Sequence, residues 1–335
     1  MYFDRPVISI KDILEIMLSY PFGEVLECEY LGGVPNVTFK VVTQQRTLAV
    51  RISNNGYTSI DHLNTEIKLL EHLVGIGFAE SPRPVVGSNG EVLQQWKGYR
   101  VFASDYIRGI PGEKVEITPG LCHDVGRIVA SLQKALSSFK GAVPRGESFV
   151  ERGTRLLDLL PSTSGMMGWE LDVSQILAQW KRSNTSFIQL SDRFVSSIIH
   201  SDIWPPNVIC KQETVVGVVD FDDWCYGASI IELCASLVEF PMFNTVTLNA
   251  ELAIALLRGY LEYGGTISDI EEHLIVDGME LTCTSWLACN ALHGLDFKES
   301  EIYLKKLNIL RDEEARRRLN KDIHQFIDIA IASSK

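Results

Sequence analysis

Two neighbouring stretches of this 335-residue chain carry side chains whose types and spacing suit phosphoryl transfer. The first, His200-Ser201-Asp202-Ile203-Trp204-Pro205-Pro206-Asn207, sets an acid and an amide in one H-x-D-x-x-x-x-N loop. The second, Asp220-Phe221-Asp222, follows directly on the apolar run Val215-Val216-Gly217-Val218-Val219. A phosphoryl group in transfer carries spread negative charge, so its catalysis is mostly positioning plus stabilisation by cations. Mg²⁺ takes hard oxygen ligands, few of them carboxylates, and leaves room for phosphate oxygens and water. Asn207 and Asp220 would offer it one neutral and one charged oxygen, while Asp202 would accept the proton of an attacking hydroxyl. Pro205 and Pro206 restrict the backbone between acid and amide, which favours a fixed loop over a helix. The plainer alternative is a polar loop before a hairpin, with Asp202 and Asn207 as turn formers.

The stretch from His200 to Gly227 resembles the signature of the aminoglycoside phosphotransferase / choline kinase family, H-G-D-x-x-x-x-N followed by a hydrophobic strand and D-F/W-x. It is also similar to type II homoserine kinases and hydroxylysine kinases. The resemblance implies an α+β, bilobal, protein-kinase-like fold: a small β-rich N-lobe, a larger mainly helical C-lobe, and ATP between them. It implies Asp202 as catalytic base, Asn207 and Asp220 as Mg²⁺ ligands, and a hydroxyl as phosphate acceptor. Asp-Phe-Asp replaces D-F-G and no A-P-E follows, which favours a small-molecule acceptor over a protein. Ser201 stands where the family commonly has Gly, and Glu232 where an Asp usually braces the catalytic loop. His200 is expected to anchor the loop by hydrogen bonding. Asp222 and Asp223 either assist a second metal or are surface acids. Trp204 and Trp224 either pack or wall a cationic group.

The elements that must position these groups can be followed along the chain. Apolar spacing over residues 8–20 predicts an opening helix. Three β-like runs follow at Glu24–Leu31, Val37–Thr43 and Thr47–Ser53. The turn Gly32-Gly33-Val34-Pro35-Asn36 would let backbone amides approach phosphates, and it resembles the family's G-G-x-x-N loop; a short Gly pair also suits a plain hairpin. The third run holds Arg51 where a kinase-like lobe keeps its phosphate-pairing Lys. Leu63–Leu70 reads as an amphipathic helix, with Glu66 the acid to pair with Arg51. Glu91–Trp96 and Gly98–Ala103 read as a hairpin. Asp105, Tyr106 and Ile107 resemble the hinge whose backbone meets adenine. The Gly109–Gly112 turn then divides a nucleotide-binding lobe, 1–107, from a helical catalytic and substrate lobe, 108–335. Helices are predicted over Leu121–Ala135, Phe149–Leu160, Ile230–Val238, 246–263, 270–294 and 298–332, with a loop at Ser162–Gly165. The charged run Arg311–Arg318 reads as a solvated helix face.

Composition narrows the function classes. A net charge of −12 argues against general nucleic-acid binding, which needs basic patches, and suits a cationic acceptor. Seven scattered cysteines without a C-x-x-C pair read as reduced core thiols. The opening residues lack a signal-peptide pattern and no apolar run reaches membrane-spanning length, so a soluble, cytoplasmic protein is expected. The expectation is an ATP- and Mg²⁺-dependent small-molecule kinase. The alternative from another class is a non-catalytic nucleotide-binding regulator, which the departures at Arg51, Ser201 and Glu232 motivate.

Overall fold

A computed structural model of the chain describes residues 6–33, 36–53, 58–141, 158, 173–190, 193–293 and 297–333. The predicted Phe149–Leu160 helix and Ser162–Gly165 loop, and Val34-Pro35 of the Gly-rich turn, lie outside the described residues, Asp158 excepted.

Alternation builds the small lobe. In β2 (Val37–Thr43) the residues Val37, Phe39 and Val41 point to one buried face. They join β1 (Val25–Gly32), β3 (Thr47–Ser53), β4 (Leu93–Trp96) and β5 (Tyr99–Asp105) in an antiparallel sheet of order β1-β2-β3-β5-β4. Helix α1 (Ile10–Met17), closed by a Ser9–Asp12 capping box, lays Ile13, Ile16 and Met17 on this face. Strand β3 breaks the alternation: Arg51 is buried as well as Leu48, Val50 and Ile52. Helix α2 (Ile60–Gly75), capped by Ser59, lies on that second side and supplies Arg51's partner, Glu66. Its apolar residues Leu63, Ile67, Leu69, Leu70 and Leu73 belong to the larger core of the helical lobe.

In the large lobe, short strands bracket both motifs. Strand β6 (Ile110–Pro111) pairs with β8 (Val208–Lys211), which pairs with β9 (Thr214–Val218). Strand β7 (Ser196–Ile199) pairs with β10 (Cys225–Ala228). The first motif therefore runs from the end of β7 to the start of β8, and the second from the end of β9 to the start of β10. Helices α3 (Pro119–Ser137), α4 (Val173–Gln189), α5 (Ile230–Glu239), α6 (Ala250–Glu262), α7 (Asp269–His293), α8 (Phe297–Arg311) and α9 (Glu313–Ser333) complete the lobe.

Some elements differ from expectation. Helix α4 has no counterpart among the expected helices: its Ser, Gln, Asn and Thr leave it low in apolar content overall, although its pattern is periodic. β7 and β10 are four residues each, too short for alternation to register. The Gly109–Gly112 turn contains the two-residue strand β6, and the predicted helix over 298–332 breaks into α8 and α9 at Asp312, whose carboxylate caps the Ala315 amide at 2.8 Å. The run Arg311–Arg318 is not wholly solvated: Arg316 turns inward to Asp277 and the fully buried Glu280. A buried carboxylate needs a paired charge, and Arg316 supplies it. Cys122, Cys210, Cys225, Cys234 and Cys283 are buried and form no disulfide. Among the described residues no helix is long and apolar enough to cross a membrane.

Candidate active site

The loop from His200 to Asn207 is held by hydrogen bonds from within and from its buried neighbours. Asn207 Nδ2 donates to Asp202 Oδ2 at 2.6 Å and to the Asp202 carbonyl at 3.0 Å, which closes the loop on itself. Pro205 and Pro206 sit in a single 3₁₀ turn between them. With the Nδ2 group so placed, the Asn207 amide oxygen is the atom left for a cation. His200 is fully buried, its Nε2 on the Val219 carbonyl at 3.1 Å and its Nδ1 accepting from the Asp202 amide at 3.3 Å. This pattern assigns the neutral Nε2–H tautomer, and burial pushes the imidazole down to about 4. His200 thus anchors the loop to the strand end that carries Asp220.

Ser201 adopts φ +65, the left-handed region where Gly is at ease. Its hydroxyl donates to the Asp223 carbonyl at 2.6 Å, and its amide to Glu232 Oε1 at 2.8 Å. The His200 amide lies 3.4 Å from Glu232 Oε2, so the buried Glu232 at the start of α5 braces two successive amides. Burial pushes this carboxyl up to about 7, against the pull of those amides.

The small lobe meets this loop with a cation. Arg51 bonds Glu66 at 2.5 Å and approaches Asp220 Oδ1 at 3.7 Å, with its guanidinium 5.1 Å from the Phe102 ring centre. Burial raises Glu66 while Arg51 pulls it back. Arg51 itself stays charged, because Glu66, Asp222 and Asp220 outweigh its own desolvation. Arg51 Nε and Glu66 Oε1 are buried without a hydrogen-bond partner. Asp220 takes a left-handed backbone at φ +67, while its side chain stays 44% exposed. Enclosure, with nearby Asp202 and Asp223, pushes it up to about 6 despite Arg51. Asp222 is raised further, by enclosure and by Asp220. Crowded carboxylates of this kind favour a bound cation.

Among the described residues no group of three or more His, Cys, Asp or Glu is arranged to hold a metal by itself. Asn207 and Asp220 fit the sparser case of a divalent ion shared with phosphate oxygens.

Several predicted residues meet here. Asn36, at the end of the Gly-rich turn, donates to Asp222 Oδ2 at 2.5 Å. Gly32 and Gly33 have φ +114 and +110, and a Cβ at Gly33 would lie 2.7 Å from the Asn36 carbonyl oxygen. At the hinge, the amides of Asp105 and Tyr106 are taken by the carbonyls of Arg83 and Thr47, both at 2.9 Å. The Asp105 carboxylate turns away to Arg46 at 3.2 Å. Ile107 packs over Gly217, where a Cβ would come within 2.7 Å of Ile107 Cγ2. A Cβ at Gly112 would lie 2.7 Å from the Pro205 carbonyl oxygen, so the Gly109–Gly112 turn packs directly on the loop that carries Asp202. Trp224 is buried and stacked on His62, a packing role, whereas Trp204 lies against Trp286, 4.7 Å between ring centres. His62 is the residue that the sequence pattern missed. Its signal was its place four residues before Glu66, on the same helix face.

A model of a phosphotransferase enzyme family matches residues 28–269. A homoserine kinase of Beijerinckia indica is 24% identical over 264 residues, 76% of this chain and 76% of its own length. An amicoumacin kinase solved with AMP-PNP and Ca²⁺ superposes with TM-score 0.71 at 13% identity, covering 96% of this chain and 94% of its own. A microcompartment-associated aminopropanol kinase also reaches 0.71, at 16% identity over 94% of this chain and 98% of its own. These two likenesses establish the bilobal kinase-like α+β fold.

Proposed function

The chain belongs to the phosphotransferase enzyme family, and on that premise we propose that it is an ATP-dependent kinase of a small molecule, phosphorylating an alcohol hydroxyl. The observation that carries this is the meeting of the Asn207-held Asp202 with Asp220 and Arg51. Asp202, held in place by the Asn207 amide, orients the acceptor hydroxyl and takes its proton. Arg51, kept charged by Glu66, faces the phosphates. Asn207 and Asp220 would hold Mg²⁺, which when bound neutralises charge on the phosphate oxygens. Gly32, Gly33 and Asn36 cover the phosphates, and the backbone of Asp105–Ile107 meets the base. On this reading residues 1–107 form the nucleotide lobe and 108–335 the catalytic and acceptor lobe.

The acceptor we favour is an amine-bearing alcohol: homoserine-like, an amino alcohol or an aminoglycoside. Support comes from the names of similar proteins, homoserine kinase and aminopropanol kinase, and from the net charge of −12. Buried cysteines that form no disulfide suit a reducing, cytoplasmic setting. The departures that suggested a non-catalytic regulator each find a working partner. Arg51 has Glu66, Ser201 has the Asp223 carbonyl, and Glu232 has two loop amides. They favour the catalytic reading.

The test is ADP release from Mg²⁺-ATP across a panel of amino alcohols, homoserine, aminoglycosides and sugars, with Asp202→Asn alongside. Turnover on an amine-bearing alcohol, lost in the variant, is the expected result. Tight nucleotide binding without turnover on any acceptor would favour the regulator. Failure to bind nucleotide at all would overturn both.

A further inference from the structure

His62 lies in the first turn of α2, one turn before Glu66. Its Nε2 meets the Asp222 carbonyl oxygen at 2.7 Å. Its ring stacks on Trp224, with centres 4.5 Å apart and planes within 14°. The next carbonyl along, that of Asp223, is taken by the Ser201 hydroxyl at 2.6 Å. Two successive carbonyls of the turn after Asp220 are therefore gripped from opposite sides, one by α2 of the small lobe and one by the catalytic loop. That turn needs gripping, because Asp220 sits in a left-handed conformation that a non-Gly residue adopts only when its surroundings impose it.

From this arrangement we propose that His62 is a positioning residue for the metal-binding turn. It ties the placement of Asp220 to the same helix that places Arg51 through Glu66. The inference rests on the kinase reading above, and adds to it a residue that touches neither nucleotide nor acceptor. A single rigid element then sets the cation on the phosphate side and the acid on the metal side. A shift of α2 disturbs both together. The contacts that the role uses are to a backbone carbonyl and a ring face, so it needs a hydrogen-bond donor and a flat side chain.

The test is ADP binding by calorimetry across a Mg²⁺ titration, with thermal melts alongside. His62→Phe keeps the stack and removes the donor. It should raise the Mg²⁺ concentration for half-maximal effect by about tenfold, the scale of losing an outer partner of a metal site. Affinity without Mg²⁺ should stay within about twofold, below the threshold for a lost contact. His62→Gln, which can reach the same carbonyl with an amide N–H, should recover most of the Mg²⁺ response. His62→Asn, polar but too short, gives the same readout as Phe should the Phe variant not fold. His72→Phe is the control: His72 makes a comparable contact from α2 to the Ala135 carbonyl, far from the site. That variant should lose stability and leave the Mg²⁺ midpoint alone. An unchanged midpoint in His62→Phe, or equal weakening with and without Mg²⁺, overturns the proposal while leaving the kinase reading intact. A wild-type chain that binds no nucleotide with Mg²⁺ overturns both.

Discussion

The two lobes hold the polar groups of the candidate site by different means. In the small lobe a charge holds a charge: Arg51 and Glu66, 6% and 0% exposed, face each other inside the protein. In the large lobe carboxyl groups are met by neutral donors, the Asn207 amide at Asp202 and two backbone amides at Glu232. Removing one member of a buried ion pair leaves an uncompensated charge in a low-dielectric interior. Replacing Asp202 by Asn keeps the size and shape of the group that the Asn207 amide meets. The small lobe therefore couples function to stability, and the large lobe separates them.

Asp202→Asn is the sharpest probe of the large-lobe half. Turnover should fall by about 10²–10⁴-fold, the range of a lost general base. The melting temperature and Mg²⁺-nucleotide affinity should stay close to wild type. A large loss of stability in this variant would break the contrast.

Arg51→Met probes the other half. It leaves Glu66 buried and unpaired, so unfolding experiments should show a loss of about 3–5 kcal/mol, together with weaker nucleotide binding. The double variant Arg51→Met/Glu66→Leu removes both charges and should recover most of the stability but none of the affinity. If the double variant is no more stable than the single one, the pair is not what holds α2 against β3.

The contrast also explains what could be read in advance. That Asp202, Asn207 and Asp220 come together was legible because their types and fixed spacing belong to one loop and the strand end beside it. Arg51 and Glu66 were legible through element order, since strands and helices with clear periodicity place them. The partner of Asn36 was not legible, because Asp222 lies 186 residues away and only the closing of the two lobes joins them. The left-handed backbone of Asp220 was hidden for a similar reason: it is imposed by grips on the following carbonyls, and no local residue choice announces it. Arg316 was misread because a charged run looks solvated until the helix carrying it is packed on Glu280.

A subtler separation concerns two glycines, one packed on the loop that carries Asp202 and one under the hinge residue Ile107. At Gly112 an added methyl group would meet the Pro205 carbonyl oxygen and Val208 Cγ2, each at 2.7 Å, so the catalytic loop must give way. Gly112→Ala should lower kcat by about tenfold, within the cost of a displacement near one ångström. KM for ATP should hardly change, since the small-lobe groups are untouched. At Gly217 the obstruction is the side chain of Ile107, which can turn aside. Gly217→Ala should leave kcat near wild type and weaken ATP binding a few-fold. Steady-state kinetics with each variant shows whether loop and hinge respond separately.

The smallest effect expected is a pH signature inside the large lobe. Glu232, raised by burial from 4.5 to about 7, keeps its proton in the folded chain where the unfolded chain has lost it. Its contribution to stability is therefore present below 4.5 and lost as pH rises to about 7. His200 works the other way. Lowered by burial from 6.5 to about 4, it stays neutral in the folded chain while the unfolded chain takes up a proton, so stability is lost as pH falls from 6.5 towards 4. The two oppose each other over the same window. Glu232→Gln removes the first and keeps the second, while Asp220 and Asp222 contribute alike to both proteins and cancel in the difference. The variant should thus be more acid-labile than wild type, with its relative melting temperature climbing by a few degrees between about pH 5 and about pH 7 and flat above. Melts of the two proteins in matched buffers measure that difference directly. A flat difference throughout would mean that Glu232 is ionised in the fold at all these pH values, held by the loop amides strongly enough to overcome its burial. The large lobe would then fix that acid as firmly as the small lobe fixes Arg51.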